Sequence, residues 1–265
     1  MKNVLFLAHH DAGQEARLQC AFDAVRILDG HLTCVELLVP RIMASDFSGG
    51  MIDVPLVEQE IDDVHRNTEQ LTARLEAEGL PFSWEQVTGL PIDAIETHAP
   101  LSDLVVTGSE AGIGQGDMQS IAGHAACVTD RPVLAVPPGA RGVNFSGTAL
   151  VAWEDSAQSE RALRAAIPLL AKASRVVLVH IGQADDVDTL KVGSYCARHG
   201  IEIEIVNVPR PKEGVARALL DVAAEHDAAW IAMGAYGQSR LRQALFGGVT
   251  LSMLKESPIP LLLAH

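Results

Sequence analysis

The chain repeats itself, and this repeat constrains the fold more than any other feature of the sequence. The stretch Leu5–Ala21 matches Ala149–Ala165 at an offset of 144 residues, and Leu104–Gly108 matches Trp230–Gly234 at an offset of 126 residues. The offsets differ by 18 residues, which indicates an insertion in the first half, around Arg41–Glu60. An ordered repeat of this kind predicts two copies of one structural unit.

Each half alternates apolar runs suited to buried strands with patterns typical of helices. In the first half the predicted strands are Val4–Ala8, Leu32–Val39, Phe82–Val87, Leu104–Thr107 and Val133–Val136. In the second half they are Ala149–Trp153, Val176–Ile181, Ile201–Val206, Trp230–Met233 and Ile259–Leu263. Strands joined by helical crossovers form a parallel sheet, so we predict an α/β fold of two doubly wound, five-stranded parallel-sheet domains.

A cluster of proline and glycine at Pro137–Gly142 separates the two halves, because these residues interrupt both helix and strand. We therefore expect domains at residues 1–138 and 147–265. Pro260 within the last predicted strand favours an edge position for that strand.

Composition excludes several classes of partner. The formal net charge is −14, and such a surface repels the phosphates of nucleic acid. No apolar run approaches the roughly 18 residues that a membrane-spanning helix needs. The four cysteines are scattered, and the first apolar run is too short for a secretory signal. A cytoplasmic protein without membrane or nucleic-acid partners is expected.

One loop of the second half has the glycine spacing expected of a phosphate-binding site. Gly234 and Gly237 follow a predicted strand and allow positive φ and close approach of a ligand. Nine residues later, Gly247, Gly248, Val249 and Thr250 open the last helix, where free amides and the helix dipole favour phosphate. The alternative is that these glycines only allow tight turns. The loop is neither a Walker A loop nor a Gly-x-Gly-x-x-Gly turn.

These residues resemble the universal stress protein family, and the two halves resemble its tandem-domain members. The motifs that carry the resemblance are Val151–Ser156, Met233–Gly237 and Phe246–Thr250. The family pattern Gly-x2-Gly-x9-Gly-Ser/Thr is met at Gly234, Gly237 and Gly247, whereas Gly248 replaces the hydroxyl residue. The resemblance implies an adenine nucleotide α-hydrolase-like fold, with the two domains related by a pseudo-twofold axis.

The resemblance also implies a nucleotide site in the second half. Glu154 takes the place of the acidic residue near the ribose and metal, and the backbone of Ile181 takes the place that reads the adenine edge. Trp153 and Met233, which precede Glu154 and Gly234, complete the expected site. The implied ligand is ATP, or ADP or AMP, with Mg²⁺ as an optional companion. A solvated carboxylate before a helix is the alternative explanation of Glu154.

The first half lacks the glycine spacing. Ala111 stands where the second half has Gly237, Glu110 adds a negative charge, and Ile121–Gly123 replaces the Gly-Gly helix start. We expect this half to supply a partner surface and to bind no nucleotide. His9 and His10 are adjacent on a strand and point to opposite faces, so they do not suit one metal ion.

Three functions follow in order of preference. The first is a stress-responsive regulator that binds an adenine nucleotide and an unidentified protein partner, as an internal pseudo-dimer that could also form a homodimer. The second is a nucleotide-free interaction scaffold of the same family. The third, an enzyme of the wider α-hydrolase type, needs a catalytic domain for which this length leaves no room. No catalytic residue is identifiable, so slow ATP hydrolysis is the most activity expected.

Overall fold

The computed structural model describes residues 1–38, 54–109, 121–183, 188–236 and 248–265. The first half contains β1 (Asn3–Ala8), α1 (Gln14–Leu28), β2 (His31–Leu38), α2 (Val54–Glu78), β3 (Phe82–Thr88), α3 (Pro91–His98) with a 3₁₀ turn at Ala99–Leu101, β4 (Leu104–Gly108), α4 (Ile121–Val128) and β5 (Val133–Val136). The second half contains β6 (Thr148–Trp153), α5 (Ala157–Leu170), β7 (Arg175–Ile181), α6 (Thr189–Arg198), β8 (Ile203–Val208), α7 (Val215–Glu225), β9 (Ala228–Gly234), α8 (Val249–Glu256) and β10 (Leu261–Ala264). Both halves therefore share one order of elements, as the repeat predicts.

The ten strands form one sheet in the order β3-β2-β1-β4-β5-β10-β9-β6-β7-β8. Within each half all neighbouring strands are parallel, and the halves meet where β5 and β10 pair antiparallel, with Leu262 opposite Leu134. The strand order reads the same from both ends, which confirms two doubly wound five-stranded units related by a pseudo-twofold axis.

The last strand lies at the edge of its own five-stranded unit, as Pro260 predicts, but it is not an edge of the complete sheet. The ladder of β10 begins at Leu261, so Pro260 precedes the strand and its missing N–H is not needed. The carbonyl oxygen of Pro260 accepts a hydrogen bond from Ile231 N at 3.1 Å. The strand lies between β9 and β5 at the centre of the sheet.

Alternate residues of each strand point to opposite faces of the sheet, and each face is covered by helices from both halves. Phe6 faces one layer, which holds α1, α2, α5 and α6. Leu7 faces the other layer, which holds α3, α4, α7 and α8. Strands buried on both faces need near-continuous apolar sequences, which explains why the strands were predictable as apolar runs.

The segment between the halves packs against both of them. Val143 N donates to Asp23 Oδ2 of α1 at 2.9 Å, and the Phe145 ring meets the Trp230 ring edge-on at a centroid distance of 5.6 Å. Both Val143 and Phe145 are buried. The segment is therefore a structural joint, while the exact domain limits of 138 and 147 stay a prediction.

Replacing Gly142 with alanine should destabilise this joint. Gly142 has φ of +134°, and an added Cβ would lie 2.6 Å from Asp23 Oδ2. A backbone conformation that excludes side chains costs about 1–3 kcal/mol when forced on an alanine. Gly139→Ala is the matched control, since nothing lies within 4 Å of its added Cβ. Chemical denaturation should show a loss of unfolding free energy for Gly142→Ala alone. Equal stability of the two variants would contradict the described joint.

Candidate functional site

A cleft of about 520 Å³ lies in the second half, beyond the carboxyl ends of β6, β7 and β9. The chain leaves β6 and β9 toward opposite faces of the sheet, because α5 and α8 belong to different layers. This divergence opens a crevice at the switch point of strand order, where doubly wound sheets bind ligands. The size falls within the range of small-molecule sites.

Seven of the ten predicted site residues line this cleft. They are Trp153, Glu154, Ile181, Met233, Gly234, Val249 and Thr250. Gly248 is described at the start of α8 but does not line the cleft, and Gly237 and Gly247 lie outside the described residues. The fold thus gathers, from four separate elements, residues that lie up to about a hundred positions apart in the sequence.

The turn after β6 is held by a local hydrogen-bond network. Ser156 caps α5, with its Oγ accepting from Ser159 N at 3.2 Å, and the Ser159 hydroxyl accepts from Glu154 N at 3.3 Å. The carboxylates of Glu154 and Asp155 have no partner within the described part of the chain, and both residues are exposed at the cleft. The network therefore fixes the backbone of the turn and leaves two carboxylates free for a ligand.

Gly234 serves a different purpose from the one expected. Its φ is not positive, and an added Cβ would lie 2.8 Å from the backbone carbon of Gln158 and 2.9 Å from Ser159 N. The glycine is required because β9 touches the first turn of α5. The left-handed conformation falls instead on Tyr236, with φ of +51°. Close approach of the protein's own backbone therefore requires glycine at position 234.

The start of α8 presents backbone donors to the cleft. Gly248 is the N-cap residue, with ψ of 156° and no side-chain cap, and its carbonyl oxygen accepts from Leu251 N and Ser252 N. The amides of Val249 and Thr250 have no acceptor among the described residues. Thr250 Oγ1 accepts from Tyr236 N at 3.1 Å, which leaves its own hydroxyl proton available. The arrangement suits an anionic oxygen.

Tyr236 connects this loop to the first half. An added Cβ on Gly123 of α4 would overlap the Tyr236 hydroxyl, so the ring is seated directly against that helix. Burial raises the pKa of Tyr236 to about 12, and its hydroxyl has no hydrogen-bond partner among the described residues. The first half therefore braces the beginning of the loop that follows β9.

Sequence reasoning missed several residues of the cleft, above all His180 and Arg210. His180 is buried on β7 and lines the cleft. Its Nδ1 lies 3.1 Å from Trp153 O and its Nε2 lies 3.1 Å from Gln183 O. Arg210, which follows β8, also lines the cleft. The sequence signal that could have indicated them is their position, since His180 lies near the end of β7 and Arg210 lies just after β8.

In the first half, a buried arginine lies beside the end of β4. Arg17 is buried, donates from Nη1 to Asp11 Oδ1 at 2.9 Å, and lies against Gly108, the counterpart of Gly234. Burial alone would raise the pKa of Asp11, but hydrogen bonds from His9 and Arg17 outweigh it and hold that pKa well below its usual range. The guanidinium occupies the space over β4.

The two adjacent histidines of the first half have separate partners. His9 forms an ion pair with Asp11, whereas His10 Nδ1 lies 3.1 Å from Asn67 Oδ1. Asn67 in turn donates to the buried carboxylate of Glu36, which also accepts from Gln86 Nε2 at 2.7 Å. The histidines thus join two different networks and do not converge on one point.

Comparison with known protein families gives a match within the second half. Residues 195–265 match the model of the universal stress protein family. No curated protein matches the sequence. Among the described residues, none of the helices is both long enough and apolar enough to cross a lipid bilayer.

Solved structures share the fold over the whole length. A universal stress protein from Archaeoglobus fulgidus superposes with a TM-score of 0.70 at 17% identity, covering 99% of this chain and 95% of that chain. A putative universal stress protein from Pseudomonas aeruginosa gives a TM-score of 0.58 at 15% identity, covering 99% and 92%. Residues 195–265 therefore resemble the universal stress protein family, and the whole chain shares the two-unit fold of these solved structures.

Proposed function

We propose that the second half binds an adenine nucleotide in the cleft beyond β6, β7 and β9, and that the protein acts as a stress-responsive regulator in the cytoplasm. The observation that carries the proposal is the cleft itself, in which an apolar wall, free carboxylates and uncapped helix amides occur side by side. A nucleotide carries the complementary groups: an apolar base, a ribose with hydroxyl groups, and anionic phosphates.

The apolar wall suits the base. Val179 and Ile181 on β7, Leu219 on α7 and Met233 on β9 line the cleft with aliphatic surface. Gly182 N donates to Val208 O of β8. Because backbone groups alternate along a strand, the N–H and C=O of the preceding residue, Ile181, point the other way, toward β6. The pairing of β6 with β7 ends at Trp153 and His180, so these groups of Ile181 lie beyond it. Those groups support recognition of an adenine edge.

The protein groups suited to the ribose and the phosphates lie beyond the next two strands of the sheet, β6 and β9. The Glu154 carboxylate at the end of β6 suits a ribose hydroxyl, and the amides of Val249 and Thr250 beyond β9 suit phosphate oxygens. Arg210, which follows β8, supplies a cation to the cleft. Because β6 lies between β7 and β9, a nucleotide spanning the three strands meets these groups in sequence.

A magnesium ion fits the same place as a companion of the phosphates. Mg²⁺ binds through one or two carboxylates together with substrate phosphates and water, and Glu154 and Asp155 have free carboxylates here. When bound, the ion would neutralise phosphate charge. Gly248 offers a backbone amide where a hydroxyl residue would add a side-chain donor, so ATP, ADP and AMP remain candidate ligands.

The first half is proposed as a partner surface without nucleotide. Arg17 donates to Asp11 and lies against Gly108, the counterpart of Gly234, and Tyr236 rests on α4. The alternative function, a nucleotide-free interaction scaffold, is favoured by the replacement of the pattern's hydroxyl residue by Gly248. Mass spectrometry separates the two. A co-purifying adenine nucleotide supports binding, and its absence together with no thermal shift in millimolar ATP–Mg²⁺ supports the scaffold.

Replacing Glu154 with glutamine should weaken nucleotide binding. The change removes a charge-assisted hydrogen bond to the ribose, or a ligand of the magnesium ion, which amounts to about a tenfold loss of affinity. Glu160→Gln is the control, because Glu160 lies on α5 outside the cleft and pairs with Arg164. Calorimetry with ATP–Mg²⁺ should distinguish the two variants, and equal affinities would remove Glu154 from the site.

Replacing Val249 with glutamate should abolish nucleotide binding and leave the fold intact. A carboxylate in the first turn of α8 interacts favourably with the helix dipole, so the helix is not destabilised. The same carboxylate occupies the place of the phosphates and repels their negative charge. Thr189→Glu adds the same charge to the first turn of α6, outside the cleft, and should bind as the parent protein does. Full ATP affinity in Val249→Glu would exclude the α8 amides as the phosphate site.

A further inference from the structure

A second cavity lies on the seam between the two halves, separate from the nucleotide cleft. It has a volume of about 330 Å³. Its walls come from the turn before β5 in the first half, from α5 in the second half and from the end of β10. We call it the seam cavity. The cavity exists only because β5 and β10 pair, so neither half contains it alone.

Three arginines line the seam cavity, in a chain that carries 34 acidic and 20 basic residues. Arg131 comes from the first half, whereas Arg161 and Arg164 lie one turn apart on α5. Asp130 is the acidic side chain that lines the cavity and opposes them, and His265, the last residue of the sequence, also lines it. Three guanidinium groups around one opening in an acidic protein form a local site for negative charge.

Two of these arginines have unused hydrogen-bonding capacity. Arg131 Nη2 donates to Pro100 O at 2.7 Å, which holds the side chain in place, while its buried Nε has no partner in the described part of the chain. Arg161 forms no ion pair with any described residue, whereas Arg164 lies 3.5 Å from Glu160 and Arg131 interacts electrostatically with Asp103. A pre-positioned guanidinium with a free donor suits a phosphate oxygen.

The duplicated fold does not by itself require this cluster. In the repeat, Arg131 corresponds to Ser257, Arg161 to Arg17 and Arg164 to Cys20. The corresponding arginine of the first half, Arg17, is buried and bonded to Asp11. The pseudo-twofold counterpart of the seam cavity therefore lacks the charge, so the cluster belongs to one side of the molecule only.

We propose that the seam cavity binds a small phosphate-bearing anion through Arg131, Arg161 and Arg164. Because the arginines come from both halves, the bound anion joins them across the β5–β10 pairing. The cavity also adjoins the loop that follows β9, since His265 Nδ1 donates to Ala235 O at 2.8 Å. The proposal does not depend on nucleotide binding in the cleft.

Phosphate binding to the full chain tests the proposal. Inorganic phosphate is titrated by ³¹P nuclear magnetic resonance and calorimetry into the parent protein, Arg161→Gln and Arg131→Gln. Each variant loses one guanidinium contact, so we expect phosphate affinity to fall about tenfold or more. Arg217→Gln is the control, because it also removes one positive charge but lies on α7, paired with Asp221. Its affinity should equal that of the parent.

A further arm separates the seam cavity from the nucleotide cleft. The Val249→Glu variant blocks the cleft, and the proposal requires it to retain phosphate binding that Arg161→Gln loses. Phosphate binding that is lost in Val249→Glu and kept in Arg161→Gln would place the anion in the cleft and overturn the proposal. Absence of phosphate binding by the parent protein, or an equal loss in Arg217→Gln, would overturn it as well.

Discussion

The antiparallel pairing of β5 with β10 is the contact on which the rest of the molecule depends. Each half alone would end in a four-residue edge strand with unpaired backbone groups and apolar side chains on both faces. Pairing these strands removes both edges and makes ten strands into one sheet. It also brings α4 against α8 and α1 against α5, so each layer of helices runs across the joint. The linker adds to this joint through Asp23 and Phe145.

The two halves share one topology but carry different side chains beyond their strands. At the carboxyl ends of its strands, the second half keeps an open cleft with free carboxylates and helix amides. In the first half, Arg17 pairs with Asp11 beyond β1, and Asn67 donates to the buried carboxylate of Glu36. The seating of Tyr236 on Gly123 gives the first half a way to support the start of the loop that follows β9.

Much of the fold was predictable because buried parallel strands leave continuous apolar runs, and because the sequence repeats them. The site was predictable to the extent that it lies at strand ends. The sequence-based predictions that failed concern residues whose positions depend on tertiary packing. Ile201 was placed in a strand because it is apolar, but it is buried as part of a helix ending, with its N–H donating to Cys196 O, and β8 begins at Ile203. The requirement for Gly234 and the place of Arg210 follow from tertiary contacts that no local pattern records.

The central claim, that one half binds nucleotide and the other does not, is tested most directly by hydrogen exchange with and without ATP–Mg²⁺. The account predicts slower exchange of the backbone amides at the ends of β6 and β7 and in the first turn of α8, with unchanged exchange in the turn that joins β1 to α1. Protection in that first-half turn, or no protection at the start of α8, would contradict it.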